Sequence, residues 1–171
     1  MSTWDMGRVV AGPADVTVGG VNVGRTWGPV KARFTPLLRE ETCAYTGGTP
    51  VDFTVVGVRA EITVTLAEHV MENIVLAMPH VLSGGGYAGL GYLPGRRLGE
   101  GAAELTLHPA ARDPGDTTED VTLNRAVCVD FVELEYSNSA DRLVEARFVG
   151  LADFSRACGD MVGRVRAPGR S

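Results

Sequence analysis

The sequence predicts a mainly β fold, an antiparallel β-sandwich or barrel with one flanking α-helix and several long loops. Three observations lead there. Apolar and polar residues alternate through most of the chain, as they do in half-buried strands. Only one stretch, over residues 66–78, repeats its apolar residues at helical spacing. No strand–helix–strand alternation occurs that would build a parallel sheet. With 171 residues, 44% hydrophobic and 22% charged, the composition is that of one globular domain. A chain of this size buries roughly 70% of its unfolded surface.

Each element has its own signal. Asp15 to Gly19 and Val21 to Gly24 flank Gly19-Gly20, a two-residue hairpin turn. Val30, Ala32 and Phe34 alternate with Lys31, Arg33 and Thr35 in a strand expected to end at Pro36. Val51, Phe53 and Val55 open the next strand, and Val56-Gly57 then shifts the phase, which points to a β-bulge. Beyond it Val58, Ala60, Ile62, Val64 and Leu66 face one way, with Arg59, Glu61, Thr63 and Thr65 opposite. Thr65-Leu66-Ala67-Glu68 reads as a capping box. Val70, Met71, Ile74, Val75 and Met78 follow as the apolar stripe of a helix of about three turns, which Pro79 stops. Ala103 to His108 forms a short strand. Val121, Leu123, Val127, Val129 and Phe131 alternate in another, and the phase flips to Val132, Leu134 and Tyr136, with Glu133 and Glu135 outward. After a turn at 137–141, residues 143–151 return as the last strand, with Val144, Ala146 and Phe148 inward and Glu145 and Arg147 opposite. Six or seven strands are expected. Three connections are long, at 37–50, 80–102 and 109–120. The first two carry enough Leu and Tyr to be expected to pack on a partner.

Composition and motifs exclude most function classes. The net charge is −5, and Arg156, Arg164, Arg166 and Arg170 against Asp160 make the last segment basic, so the body is more acidic than the average. An acidic body lacks the basic face that grips nucleic acid. No window is apolar enough to span a membrane, and no secretory signal is expected at the N-terminus. Cys43, Cys128 and Cys158 are scattered, which points to a reducing site of synthesis rather than a disulfide framework or a zinc ribbon. Gly84-Gly85-Gly86-Tyr87-Ala88-Gly89 matches GxGxxG but follows a helix and opens none, so it is read as a loop. Asp113, Asp116, Glu119 and Asp120 lack the EF-hand spacing, and His69, His80 and His108 stand apart in the sequence. No nucleophile motif is present. Neither catalysis, a metal nor a cofactor is expected.

The order of these elements resembles the tail tube, or major tail, proteins of long-tailed bacteriophages, which are related to the ring and tube proteins of type VI secretion. The resemblance is carried by AGPADVTVGGVNVGRTWGPVKARFTP, by TPVDFTVVGVRAEITVTLAEHVMENIVLAMP and by RAVCVDFVELEYSNSADRLVEARFVGLADFS. Together these cover about two-thirds of the chain. The Gly-rich 80–102 connection departs from the family's shorter one.

The resemblance implies a β-domain over 15–154 with an N-terminal arm at 1–14 and a basic C-terminal arm at 155–171. Six copies would close into a ring, and rings would stack into a tube in the virion, made in the cytoplasm of the bacterial host. The partners implied are further copies of the chain, tape-measure and tail-end proteins, and DNA as passing cargo, with no membrane. Leu37, Leu38, Arg39, Glu40, Glu41 and Tyr45 are expected to stack rings. Lys31, Arg33, Arg59, Glu61, Thr63, Glu133, Glu135, Glu145 and Arg147 are expected to face the lumen, whose net acidity would repel phosphate. Arg156, Arg164 and Arg166 are expected to reach a neighbouring subunit. Two alternatives stand beside this reading: a monomeric ligand-binding β-barrel, and a related ring such as a tail terminator or a contractile-system inner tube.

Overall fold

The computed structural model describes residues 12–84, 86–91, 94–130, 132–133 and 143–167. Within them lie ten strands and one helix. Strands β1 (Ala14–Val18), β2 (Val21–Asn22), β3 (Lys31–Thr42), β4 (Pro50–Leu66), β7 (Ala103–Pro109), β8 (Val121–Cys128), β9 (Val144–Gly150) and β10 (Gly163–Val165) build one antiparallel sheet. Its order is β2-β1-β7-β8-β9-β4-β3, with β10 also paired to β8. Strands β5 (Leu82–Gly84) and β6 (Tyr87–Gly89) form a separate small hairpin, and α1 spans Met71–Ala77. The mainly β, antiparallel fold with one helix is as the alternation predicts. The sheet is open, however, with β2 at one end and β3 at the other, so it is not a closed barrel. The strand number exceeds six or seven because β5, β6 and β10 are too short to show a period.

One face of the sheet forms the core. Val16, Leu105, Leu123, Val144, Ala146, Phe148, Ile62, Val64 and Leu66 are buried there, and Ala77 of α1 and Val23 join them. Alternation dictates this face: on β4 the side chains from Ala60 to Leu66 are buried at every second position. Cross-strand partners share a face, and Ile62 stands opposite both Ala32 and Phe148.

The helix differs from expectation. β4 runs through Leu66, where Thr26 bridges to it, and the Thr65 carbonyl accepts the Trp27 N–H, so Thr65 is a strand residue and cannot cap. Val70 takes the N-cap position without a side-chain bond, and the helix shortens to seven residues. Its buried residues are Asn73 and Ala77; Met71, Ile74, Val75 and Met78 are half-buried and Val70 is exposed. Asn73 sets this rotation. Its Nδ2 donates to the Val23 and Glu68 carbonyls, at 3.0 Å each, pinning α1 to the β1–β2 end of the sheet. Glu68, freed from a capping box, accepts the Arg25 N–H at 2.9 Å. It comes so close to Gly24, whose φ is +81°, that a Cβ there would collide with the carboxylate.

Two long connections are also structured. β3 does not stop at Pro36 but continues to Thr42, paired with β4 down to Pro50. A proline within a strand is tolerated here because β3 is the sheet edge. Of the GxGxxG residues, Gly84 ends β5 and Tyr87, Ala88 and Gly89 form β6, with Gly86 at φ +83° before it. Of the expected N-terminal arm, residues 1–11 lie outside the described residues, and Ala14 already belongs to β1. The expected strand at 132–136 and its turn lie largely outside them too, Glu135 included.

Candidate assembly surface

β4 pairs with β9 only from Glu61 to Leu66, so among the described residues β3 is the one strand beside residues 50–59. With residues 35–42 they make a two-stranded ribbon reaching roughly 25 Å beyond the body of the sheet. The residues expected to form a stacking loop sit on it. Leu37, Leu38, Arg39, Glu40 and Glu41 are in β3, and Tyr45 lies fully exposed in the one-turn 3-10 helix Ala44–Thr46 at the tip.

The ribbon has two chemically distinct faces because of one inserted residue. Leu37 pairs with Gly57 and Leu38 with Val55, so Val56 is the extra residue of a bulge. Phe34, Pro36, Leu38 and Glu40 continue the core face along β3, opposite Ala60, Val58, Val55 and Phe53. Without the bulge, Thr54 and Asp52 would have occupied that side. The result is an apolar surface with Phe34 43%, Leu38 50%, Phe53 51%, Val55 67% and Val58 45% exposed. Val58, on the same face as Ala60 to Leu66, thus lies past the edge of the core. On the reverse side, Arg39 donates to Glu41 from Nη2 at 2.7 Å, and Thr54 Oγ1 donates to the same carboxylate at 3.0 Å. Arg39 and Glu41 are therefore paired within their own ribbon.

The face opposite the core gathers most of the residues expected to face a lumen. Lys31 lies opposite Thr63 and Arg33 opposite Glu61 on one side of β4; Arg147 lies opposite Thr63 on the other, and Glu145 opposite Thr65. Glu61 accepts from Arg59 Nε at 2.8 Å and stands 3.8 Å from Arg147, whose Nε lies 3.1 Å from Asp130. Glu133 is exposed beyond the end of β8. Among the described residues of this set Lys31, Arg33, Arg59 and Arg147 outnumber Glu61, Glu133 and Glu145. Asp130, beside Arg147, adds a further carboxylate to this face.

The basic segment turns back onto its own chain. Residues 163–165 form β10 beside β8; Arg164 pairs with Asp160, Arg166 hydrogen-bonds to Thr117, and Arg156 lies 3.7 Å from Asp153 and 3.9 Å from Glu104. Arg156, Arg164 and Arg166 thus have partners within the chain. Hydrogen bonds from the Ser155 hydroxyl and N–H hold the Asp153 carboxyl below the ordinary range, and the Arg164 guanidinium does the same for Asp160.

The histidines, apart in sequence, include one with a close partner. His108 Nδ1 lies 2.7 Å from Asp120 Oδ1, both largely buried. The signal was present in the β7–β8 ladder: Thr106 faces Thr122 and Leu107 faces Val121, and one further step brings His108 to Asp120. In the same loop, Arg112 binds Glu119 at 3.1 Å, and Asp116 accepts the Thr118 N–H at 3.0 Å. Asp116 and Glu119 are thus engaged with this loop's own groups, and Asp120 with His108 of β7. Cys128 is buried, and burial pushes its thiol pKa up, away from reactivity.

No protein-family model matches the chain, and no curated protein matches it by sequence. Among the described residues no helix is long and apolar enough to cross a membrane.

Proposed function

We propose that this chain is a structural subunit that assembles with copies of itself, and that the assembly is a phage tail tube of stacked six-membered rings. The observation that carries the reading is the amphipathic β3–β4 ribbon. Two-stranded ribbons alone are marginal in water, yet this one holds five half-exposed apolar side chains on one face. A contiguous patch of that kind marks an interaction site. Burying the exposed half of each side chain would stabilise an assembly by about 1 kcal/mol apiece, repeated in every subunit of a ring. The twelve-residue edge of β3 offers backbone groups for pairing as well.

In this reading the polar face of β3, β4 and β9 lines a wet channel. Two of its cations, Arg59 and Arg147, are paired with Glu61 and Asp130, which leaves fewer cations for phosphate to hold as DNA passes. Tape-measure and tail-end proteins would be the further partners, and the virion tail the location. The ligand-binding alternative draws on a cleft of about 240 Å³ beneath α1, lined by Val75, Leu76, Val81 and Phe148. It leaves the ribbon unexplained.

Negative-stain electron microscopy of the purified chain tests the proposal. Rings or tubes with a central hole are expected, and Leu38→Glu with Phe53→Glu should abolish them while the body stays folded. A strictly monomeric wild type at high concentration would refute it.

A further inference from the structure

His108 sits at a junction of three segments. It is on β7, opposite Asp15 of β1 on one side and beside Asp120, which leads into β8, on the other. The Asp120 carbonyl in turn accepts the Arg166 N–H at 2.9 Å, just past β10. Arg166 also reaches Thr117, and Arg112 ties Glu119 and Asp116 into the same loop. Glu119 has φ +71°, an uncommon conformation for such a side chain, held by these surrounding bonds. β10, paired with β8 along 163–165, is thus also tied just past its end to the residue that His108 holds.

We propose that the His108–Asp120 pair is a pH-sensitive clasp on the C-terminal strand, tight when His108 is protonated and loose when it is neutral. Nδ1 meets a carboxylate oxygen, whereas Nε2 is buried without a hydrogen-bond partner among the described residues. A neutral ring can keep one bond, from Nδ1–H to the Asp120 carboxylate, or lose it if the proton sits on Nε2. The imidazolium always keeps that bond and adds the attraction of opposite charges across it, while Nε2 lacks a partner among the described residues in every form.

The groups facing the ring favour the charged form. The hydrogen bond to Asp120 raises the His108 pKa; burial opposes it, and the Asp120 charge, the Arg112 carbonyl and the Asp15 charge add to the rise. Asp116 is also within electrostatic reach, and Arg112 and Arg166 are the cations of the same junction. A raised folded-state pKa means that the clasp is complete below the unfolded histidine pKa. It is lost as pH rises through the folded value. Release loosens the Arg166 end of β10, and with it the cover that β10 gives the β8 edge at residues 121–123. This clasp does not depend on the tube reading.

Hydrogen exchange of the full chain, corrected for intrinsic rates, tests it. Protection of residues 163–167 should fall at least about tenfold between about pH 5.5 and 8.5, with its midpoint at the ring titration of His108 followed by NMR. His69→Gln with His80→Gln should leave that fall intact, whereas His108→Gln and Asp120→Asn should flatten it. Constant wild-type protection, an unchanged fall in His108→Gln, or a midpoint away from the His108 titration would overturn the clasp. Should either clasp variant fail to fold, the wild-type profile and the matching of the two midpoints still decide.

Discussion

Leu38 faces Val55 across the β3–β4 ribbon, and the bulge at Val56 is what brings them together. On the body side of that bulge the same face carries Ala60 and Ile62, both buried. One continuous apolar stripe thus runs from the core out onto a ribbon that no further strand among the described residues covers. Deleting Val56 should rotate Val55 and Phe53 to the polar side and bring Thr54 and Asp52 in their place. The expected outcome is a folded body, with stability changed by less than about 1 kcal/mol, and loss of self-association in sedimentation velocity. Unchanged assembly would show that the apolar face of the ribbon is not the contact.

Core and ribbon should respond differently to truncation. Phe148→Ala removes a side chain that is 1% exposed and touches the centre of the core, and should cost about 3–5 kcal/mol in urea denaturation. Phe53→Ala, half-exposed on the ribbon, should cost the isolated chain no more than about 0.5 kcal/mol. Equal losses would mean that the ribbon packs on the body.

Asn73→Leu keeps the size of a buried side chain but strands the Val23 and Glu68 carbonyls that it serves. A loss of about 1–3 kcal/mol is expected, with faster hydrogen exchange concentrated in α1 and β2. A neutral substitution would show that the helix is held by Ala77 and Leu76 alone.

Gly163 lies so close to the Thr122 carbonyl and the Leu123 backbone that any Cβ collides with them. Gly163→Ala should lift β10 from β8 and expose the Asn124 N–H, which donates to the Val162 carbonyl at 3.0 Å. The expected cost is about 1–3 kcal/mol, and exchange at Asn124 and Arg166 reads it directly.

The C-terminal segment should also loosen in acid. Asp153 and Asp160 have lowered pKa values, from the Ser155 hydrogen bonds and the Arg164 pair respectively. Their contributions are present above the unfolded carboxylate pKa and are lost as pH falls through the folded values. Proteolysis within 153–166 should therefore accelerate on acidification, and Asp160→Asn should show that acceleration already at neutral pH.

The local pattern determined much of this molecule. The turn at Gly19-Gly20, the bulge at Val56, the buried face of Ala60 to Leu66 and the inward set Val144, Ala146 and Phe148 all follow from alternation, because a strand's side chains are sorted by parity alone. The polar set around Glu61 was legible for the same reason, though its net charge was not, since that depends on which strands become neighbours. Tertiary structure decided the rest. It carried β3 past Pro36, because a proline is tolerated once the strand lies at an edge. It rotated α1 around Asn73, because two carbonyls in other segments needed a donor. It also set His108 against Asp120 and turned the basic segment into β10, through pairings across residues far apart in the chain. A sequence period records which side of an element is apolar; what that side meets is settled only when distant segments compete for the same neighbours.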